Sequence, residues 1–136
     1  MRFAHTRPAT GAVFALLTIL SACASAPEPE PSTSPSQAGL DLMERLTLNA
    51  DRCWFKSGDP AFDGYGLAPE LASFSGKPRF LLTPAGQPEA RPLLVVEGQS
   101  GSADVSIYGP LLSEEIGQRA RADVLRWQSG SDDCVV

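Results

Sequence analysis

Residues 79–108 read RFLLTPAGQPEARPLLVVEGQSGSADVSIY, and how this stretch divides into strands decides the fold. Three β-prone runs stand in it. RFLLT (79–83) and PLLVVE (92–97) flank the turn-rich residues 84–89, and ADVSIY (103–108) follows the Gly/Ser-rich residues 98–101. In the last run Ala103, Val105 and Ile107 alternate with Asp104, Ser106 and Tyr108, the period of two that gives a strand one buried and one wetter face. The first two runs are apolar on both faces, which predicts fuller cover. Connections this short favour antiparallel neighbours, so the expectation is a three-stranded meander.

Working outward, the residues on either side have the helical period. After Gly109 and Pro110, a single stripe runs through Leu112, Ile116, Ala120, Val124 and Trp127, with Glu114 and Glu115 at the positive end of the helix dipole and Gly130 as the stop. Upstream, Leu40, Met43, Leu46 and Ala50 share a face that Leu42 widens, which predicts a helix over 40–52, with Cys53 and Trp54 continuing its apolar side. Between this helix and the strands, Gly58, Pro60, Gly64, Gly66, Pro69 and Gly76 break any pattern. Yet Phe62, Tyr65, Leu67, Leu71 and Phe74 are too apolar for a solvated loop. The segment reads as a packed irregular excursion with one helical turn at 69–73, where proline suits the first position. The predicted fold class is α+β: a two-layer sandwich with both helices on one face of a three-stranded antiparallel sheet. A sheet this small keeps two edges and one face on which a partner can add.

The N-terminus carries a different message. Arg2 and Arg7 precede an apolar run, residues 12–20, that is far shorter than the roughly 20 residues of a membrane-spanning helix. A basic start and a short apolar run make a signal peptide. Leu20, Ser21, Ala22 and Cys23 follow at once, and this tetrad resembles the lipobox of bacterial lipoproteins. The resemblance covers residues 1–23. It implies cleavage before Cys23 by signal peptidase II, a diacylglycerol on its thiol, a fatty acyl group such as palmitate on its amine, and, with Ala24 rather than Asp next, delivery to the outer membrane. Two or more chains give durable anchoring, since each buried methylene contributes about 0.8 kcal/mol and one chain holds only reversibly.

Residues 24–38 hold Pro27, Pro29, Pro31 and Pro35 among Ser, Thr, Glu and Gln, with no large apolar side chain to offset the entropy of ordering. Extended proline-rich chain rises about 3.1 Å per residue, so such a tether spans roughly 45 Å. The expected organisation is a signal peptide at 1–22, the lipidated Cys23 and tether at 23–38, and one globular domain at 39–136.

Cleavage also changes the charge and the chemistry. The chain has 11 basic and 16 acidic side chains. Every acidic residue lies after Cys23, whereas Arg2 and Arg7 leave with the leader, so the mature chain has nine basic residues against sixteen acidic, a net −7. Nucleic acid, which demands a basic footprint, is thereby disfavoured as a partner. His5, the only histidine, leaves too. Without imidazole there is no Ser-His-Asp or Cys-His pair and no histidine-ligated zinc. Lipidation uses one cysteine and leaves Cys53 and Cys134, which in an oxidising envelope should form a disulfide joining the end of the first helix to the tail. They lie 81 positions apart, unlike a redox pair, and closing so long a loop stabilises by about 4.5 kcal/mol at most in the chain-entropy account.

Other candidates are weighed against packing. Trp54, Phe62, Tyr65 and Phe74 are the possible binding surface for a peptide or glycan, with core packing beneath the excursion as the alternative. Asp59, Asp63, Glu70, Asp132 and Asp133 offer carboxylates for calcium or for glycoside cleavage, but their spacing fits no EF-hand and a domain under 100 residues leaves little room for a cleft. No metal and no cofactor is expected. The reading is a non-enzymatic envelope lipoprotein, anchored to the outer membrane and facing the periplasm, that docks on an envelope protein or on peptidoglycan. The alternative is a small ligand-binding or inhibitory module. Lipoproteins that inhibit lysozyme are similar in size, anchor and disulfide, although their folds are mostly strand.

Overall fold

The computed structural model describes residues 35–135, with side chains from residue 38 onward. Cys23 and most of the tether lie outside the described residues. The elements run α1 (Pro35–Ala50), β1 (Tyr65–Glu70), β2 (Arg79–Pro84), β3 (Leu94–Gly98), β4 (Val105–Tyr108) and α2 (Glu115–Gln128). Short helical turns at Asp51–Phe55, Pro60–Phe62 and Pro110–Ser113 join them. Among the described residues no helix is long and apolar enough to cross a membrane.

The three expected strands form and pair in sequence order. Phe80 faces Val96 and Leu82 faces Leu94 across β2 and β3, and Val96 faces Ile107 across β3 and β4. The sheet, however, has four strands and not three. The extra one is β1, inside the stretch read as irregular; Leu67 pairs with Leu82 and Pro69 with Phe80, where a helical turn was expected. Pro69 explains both the misreading and the outcome. A proline lacks the N–H of a ladder donor and is tolerated at a sheet edge, and β1 is the edge strand beside β2.

Alternation along the strands sorts their side chains into two faces. Phe80, Leu82, Leu94 and Val96 are all fully buried and pack with Met43, Leu46 and Ala50 of α1 and with Ala120, Val124 and Trp127 of α2 in one core. Both helices therefore lie on the same side, as the two-layer architecture requires. The first helix starts earlier than residue 40, at Pro35 within the expected tether, and proline fits a first helical turn whose N–H has no intrahelical partner anyway. It then runs into a wider π turn at Asp51–Phe55, in which the Lys56 N–H donates to the Asp51 carbonyl five residues back. That turn directs Cys53 and Trp54 into the core. At the other end the apolar stripe starts one residue earlier than expected. Leu111, on the short Pro110–Ser113 turn, is buried and Leu112 only half so.

Two glycines fix this corner. Gly109 adopts φ 139°, and a side chain there would meet the Leu93 carbonyl oxygen at 2.4 Å. Gly117 brings the first turn of α2 so close that a Cβ would lie 1.9 Å from the Leu111 carbonyl oxygen. Strand end, turn and helix are thus locked together by backbone approach.

Candidate functional site

The residues singled out in the sequence separate into three places. Cys53 and Cys134 are joined in a disulfide, with Cα atoms 5.1 Å apart. Trp54 and Phe62 are core residues, each 1% exposed, and not walls of a groove. Their rings stack at 4.9 Å, Trp127 lies 5.2 Å from Trp54, and half-buried Tyr65 meets Phe62 edge-on at 6.4 Å. The physical reason is size: packed aromatic rings are the largest apolar payload a small domain can bury. Phe74 alone is fully exposed, on the loop between β1 and β2. The four therefore do not share a surface.

The carboxylates do not converge either. Asp59 is buried; it accepts a hydrogen bond from Arg119 at 2.5 Å and another from the Ala61 backbone at 3.0 Å. Those two donors, Arg119 first, hold its carboxyl below the usual carboxylate range. Glu70 accepts from Arg79 Nε at 2.6 Å across β1 and β2, and this bond raises the guanidinium further above its ordinary value against the opposing effect of burial. Asp132 accepts from Asn49 at 2.6 Å and Arg45 at 2.7 Å, which lowers its pKa in that order of importance. Each is occupied by its own donors. Among the described residues no three metal-ligating side chains stand close enough to hold an ion.

Two polar constructions are not apparent from the sequence. The first is a buried pin. Trp54 Nε1 donates to Asp123 at 2.9 Å and Arg126 donates to the other oxygen of Asp123 at 2.8 Å, so a carboxylate 4% exposed has both its oxygens engaged. The second is a clamp on the tail. Arg45, Asn49 and Arg52 grip Asp132 through its side chain and carbonyl; Arg126 and Trp127 donate to the Asp133 carbonyl at 2.8 and 3.0 Å; Arg119 donates to the Val135 carbonyl at 3.1 Å. Together with the disulfide, these contacts fasten residues 132–135 across both helices. The only sequence signal was the arginine spacing on two helices, which looks the same as a solvated face.

The outer face of the sheet, opposite the helices, differs in kind. Arg79 reaches Glu70 on one side and, at 4.0 Å, Glu97 on the other; Lys77 meets Glu97 at 3.4 Å, and Tyr108 donates to Glu97 at 3.3 Å. Beside this ladder, residues 85–93 fold back and leave a cleft of about 280 Å³. Leu81 and Val95 lie among its walls with Pro88, Glu89 and Ala90. A second cavity, about 400 Å³, opens at the start of α2 and is lined by Ala61, Glu114, Glu115, Ile116 and Arg119. Chemically the outer face can take a basic segment at the exposed Glu89 carboxylate on the rim of this cleft, whereas Glu70 and Glu97 are already engaged and Leu81 and Val95 are largely buried beneath it.

No family model, curated protein or solved structure matches this chain.

Proposed function

We propose that the protein is a non-enzymatic lipoprotein, anchored through Cys23 at the outer membrane, whose domain docks on another envelope component through the outer face of its sheet. The observation that carries the reading is the make-up of that face: an ion-pair ladder beside a mixed cleft, walled by Glu70, Arg79 and Glu89 as well as by Leu81 and Val95, on the side of the sheet that, among the described residues, no helix covers. An acidic mature chain suits a partner segment rich in Lys or Arg, because complementary charge steers encounter and fixes register. The leader, lipobox and proline tract supply the other half of the argument, since a tethered domain needs only an adhesive surface. A buried acid or base poised for chemistry would have its pKa pushed toward neutrality; Asp59, the buried one of the candidate carboxylates, is instead held in the charged form by Arg119, as in a structural pair.

Crosslinking of the full chain in native membranes, followed by mass spectrometry, tests this reading. The expected result is an envelope protein or peptidoglycan fragment joined near Lys77 or Glu89, with Glu89→Lys lowering the yield several-fold. Enrichment of nothing over an unrelated lipoprotein would sink the docking role. Finding residue 23 unacylated and the leader retained would sink the anchor.

A further inference from the structure

The two ends of β1 carry features that match each other. At one end the β1–β2 loop, residues 71–78, presents Phe74 with its ring wholly in solvent. The loop is braced: the Gly76 N–H donates to the Ser73 carbonyl at 3.0 Å, Ser73 Oγ to the Lys77 carbonyl at 2.5 Å, Ser100 Oγ to the Gly76 carbonyl at 2.6 Å, and the Gly98 N–H to the Pro78 carbonyl at 2.9 Å. A loop backbone held before any partner arrives leaves only the rotamers of the ring itself to be ordered on contact. Lys77, three residues on, is largely exposed and pairs only loosely with Glu97.

At the other end of β1 is the cavity of about 400 Å³, with Ala61 and Ile116 as its apolar lining. That size is within the range of small-ligand pockets and leaves room for a benzyl group. Arg119 in its wall is engaged by Asp59, whereas Glu114 and Glu115 are exposed and, among the described residues, take part in no ion pair. Ala61 lies four residues before β1 and Phe74 four residues after it, so the six-residue strand, roughly 20 Å of extended chain, runs between the segments that carry socket and knob.

We propose that the protein self-associates head to tail, with Phe74 of one copy seated in the Ala61–Ile116 cavity of the next and Lys77 meeting Glu114 and Glu115. Both halves of the contact are on this chain: a ring beside a cation, and an apolar socket beside two anions. An anionic lipid surface would repel an acidic chain, which makes a membrane the weaker occupant for the ring. In this head-to-tail arrangement each copy turns its knob to one neighbour and its socket to another, so the contact is heterologous and builds open chains or rings. Mutual repulsion of acidic copies keeps it in the weak, transient class. It requires no anchor, so it stands or falls separately from the docking role proposed above.

The full chain carrying p-benzoylphenylalanine in place of Phe74 tests the contact by illumination in its host. The expected result is a ladder of adducts at multiples of the chain mass, with the crosslinked peptide containing Ala61 or Ile116. Ala61→Trp, which fills the socket, should lower the ladder at least tenfold. A charge exchange covers the chance that this variant misfolds: Lys77→Glu should reduce the ladder several-fold, and Lys77→Glu combined with Glu114→Lys and Glu115→Lys should restore it. Adducts only to lipid or to other proteins, no adducts, or a ladder indifferent to both the socket and the charge exchange would overturn the proposal.

Discussion

The two faces of the sheet are made from alternate residues of the same strands, yet they are held by different forces. On the inner face Phe80, Leu82, Leu94 and Val96 are sealed against two helices, and the polar groups that enter there, Asp123 and Trp54 Nε1, satisfy each other. On the outer face the neighbours one residue along, Arg79, Glu97 and Tyr108, are linked through charges and a hydroxyl that remain in reach of water. The difference teaches which substitutions the fold can absorb. Burial is cooperative and sensitive to volume, whereas exposed ion pairs are screened and nearly independent. How far a side chain of β2 or β3 is buried, with Leu81 and Val95 of the outer face included, should therefore predict the size of its effect better than its chemistry does.

The sharpest break is expected at the centre of the inner side. Trp54→Ala removes a ring that contacts Phe62, Phe80 and Trp127, a loss of about 3–5 kcal/mol for a large aromatic. It also leaves Asp123 short of a donor, which adds about 1–3 kcal/mol for a buried acceptor. Denaturant unfolding should show a domain near or past the limit of stability; a loss below about 1 kcal/mol would mean that the core does not depend on this ring. Next is the link from this core to the tail. Cys53→Ser and Cys134→Ser should each cost up to about 4.5 kcal/mol for the opened loop, with Cys53→Ser the larger because it also places a hydroxyl in the core whereas Cys134 is exposed. A negligible loss at either position, or free thiols in the unreduced protein, would contradict the pairing.

That asymmetry between faces also explains what the sequence discloses. Apolar periodicity marks the stripe through Met43, Leu46 and Ala50, the β2 and β3 runs, and the Ala120–Val124–Trp127 stripe, because burial writes itself into spacing. β1 escapes since Gly66, Ala68 and Pro69 have poor strand propensity, and its place is fixed by pairing with β2 rather than by its own residues. The Asp59–Arg119 pair, 60 positions apart, and the Asp123 pin, 69 from Trp54, are invisible for a related reason. A charge carries no period that announces its partner. Likewise Trp54, Phe62 and Phe74 are alike as letters, and only the fold separates core rings from the exposed one.

A smaller effect, tunable by pH, is expected at the polar fastenings of the helix side. Asp59 and Asp132 have folded pKa values below the ordinary 3.8. A carboxyl whose pKa is depressed by folding contributes its stability fully above the unfolded value and loses it as pH falls through the folded one. The melting temperature should thus be flat above about pH 5 on this account and decline below about pH 4. Asp59→Asn and Asp132→Asn should lower it at neutral pH, and the gap to the wild type should close in acid. A gap that persists unchanged at low pH would show that the pairs act through shape and not charge.

The smallest effect belongs to the outer face, although Arg79 reaches two carboxylates. Its guanidinium pairs with Glu70 at 2.6 Å and approaches Glu97 at 4.0 Å, but about a third of its side chain remains in solvent. Pairs so exposed are worth roughly 0–1 kcal/mol, because water and salt already compete for both partners. Arg79→Ala should therefore cost less than about 1 kcal/mol in denaturant unfolding, and less still in molar salt, where the Debye length falls to about 3 Å. A loss like that at Trp54 would mean that the ladder over Leu81 and Val95 acts as a second core, erasing the distinction between the faces. A small loss accompanied by weaker crosslinking in the envelope would make Arg79 a residue kept for contact, as a charged sheet face opposite a sealed one implies.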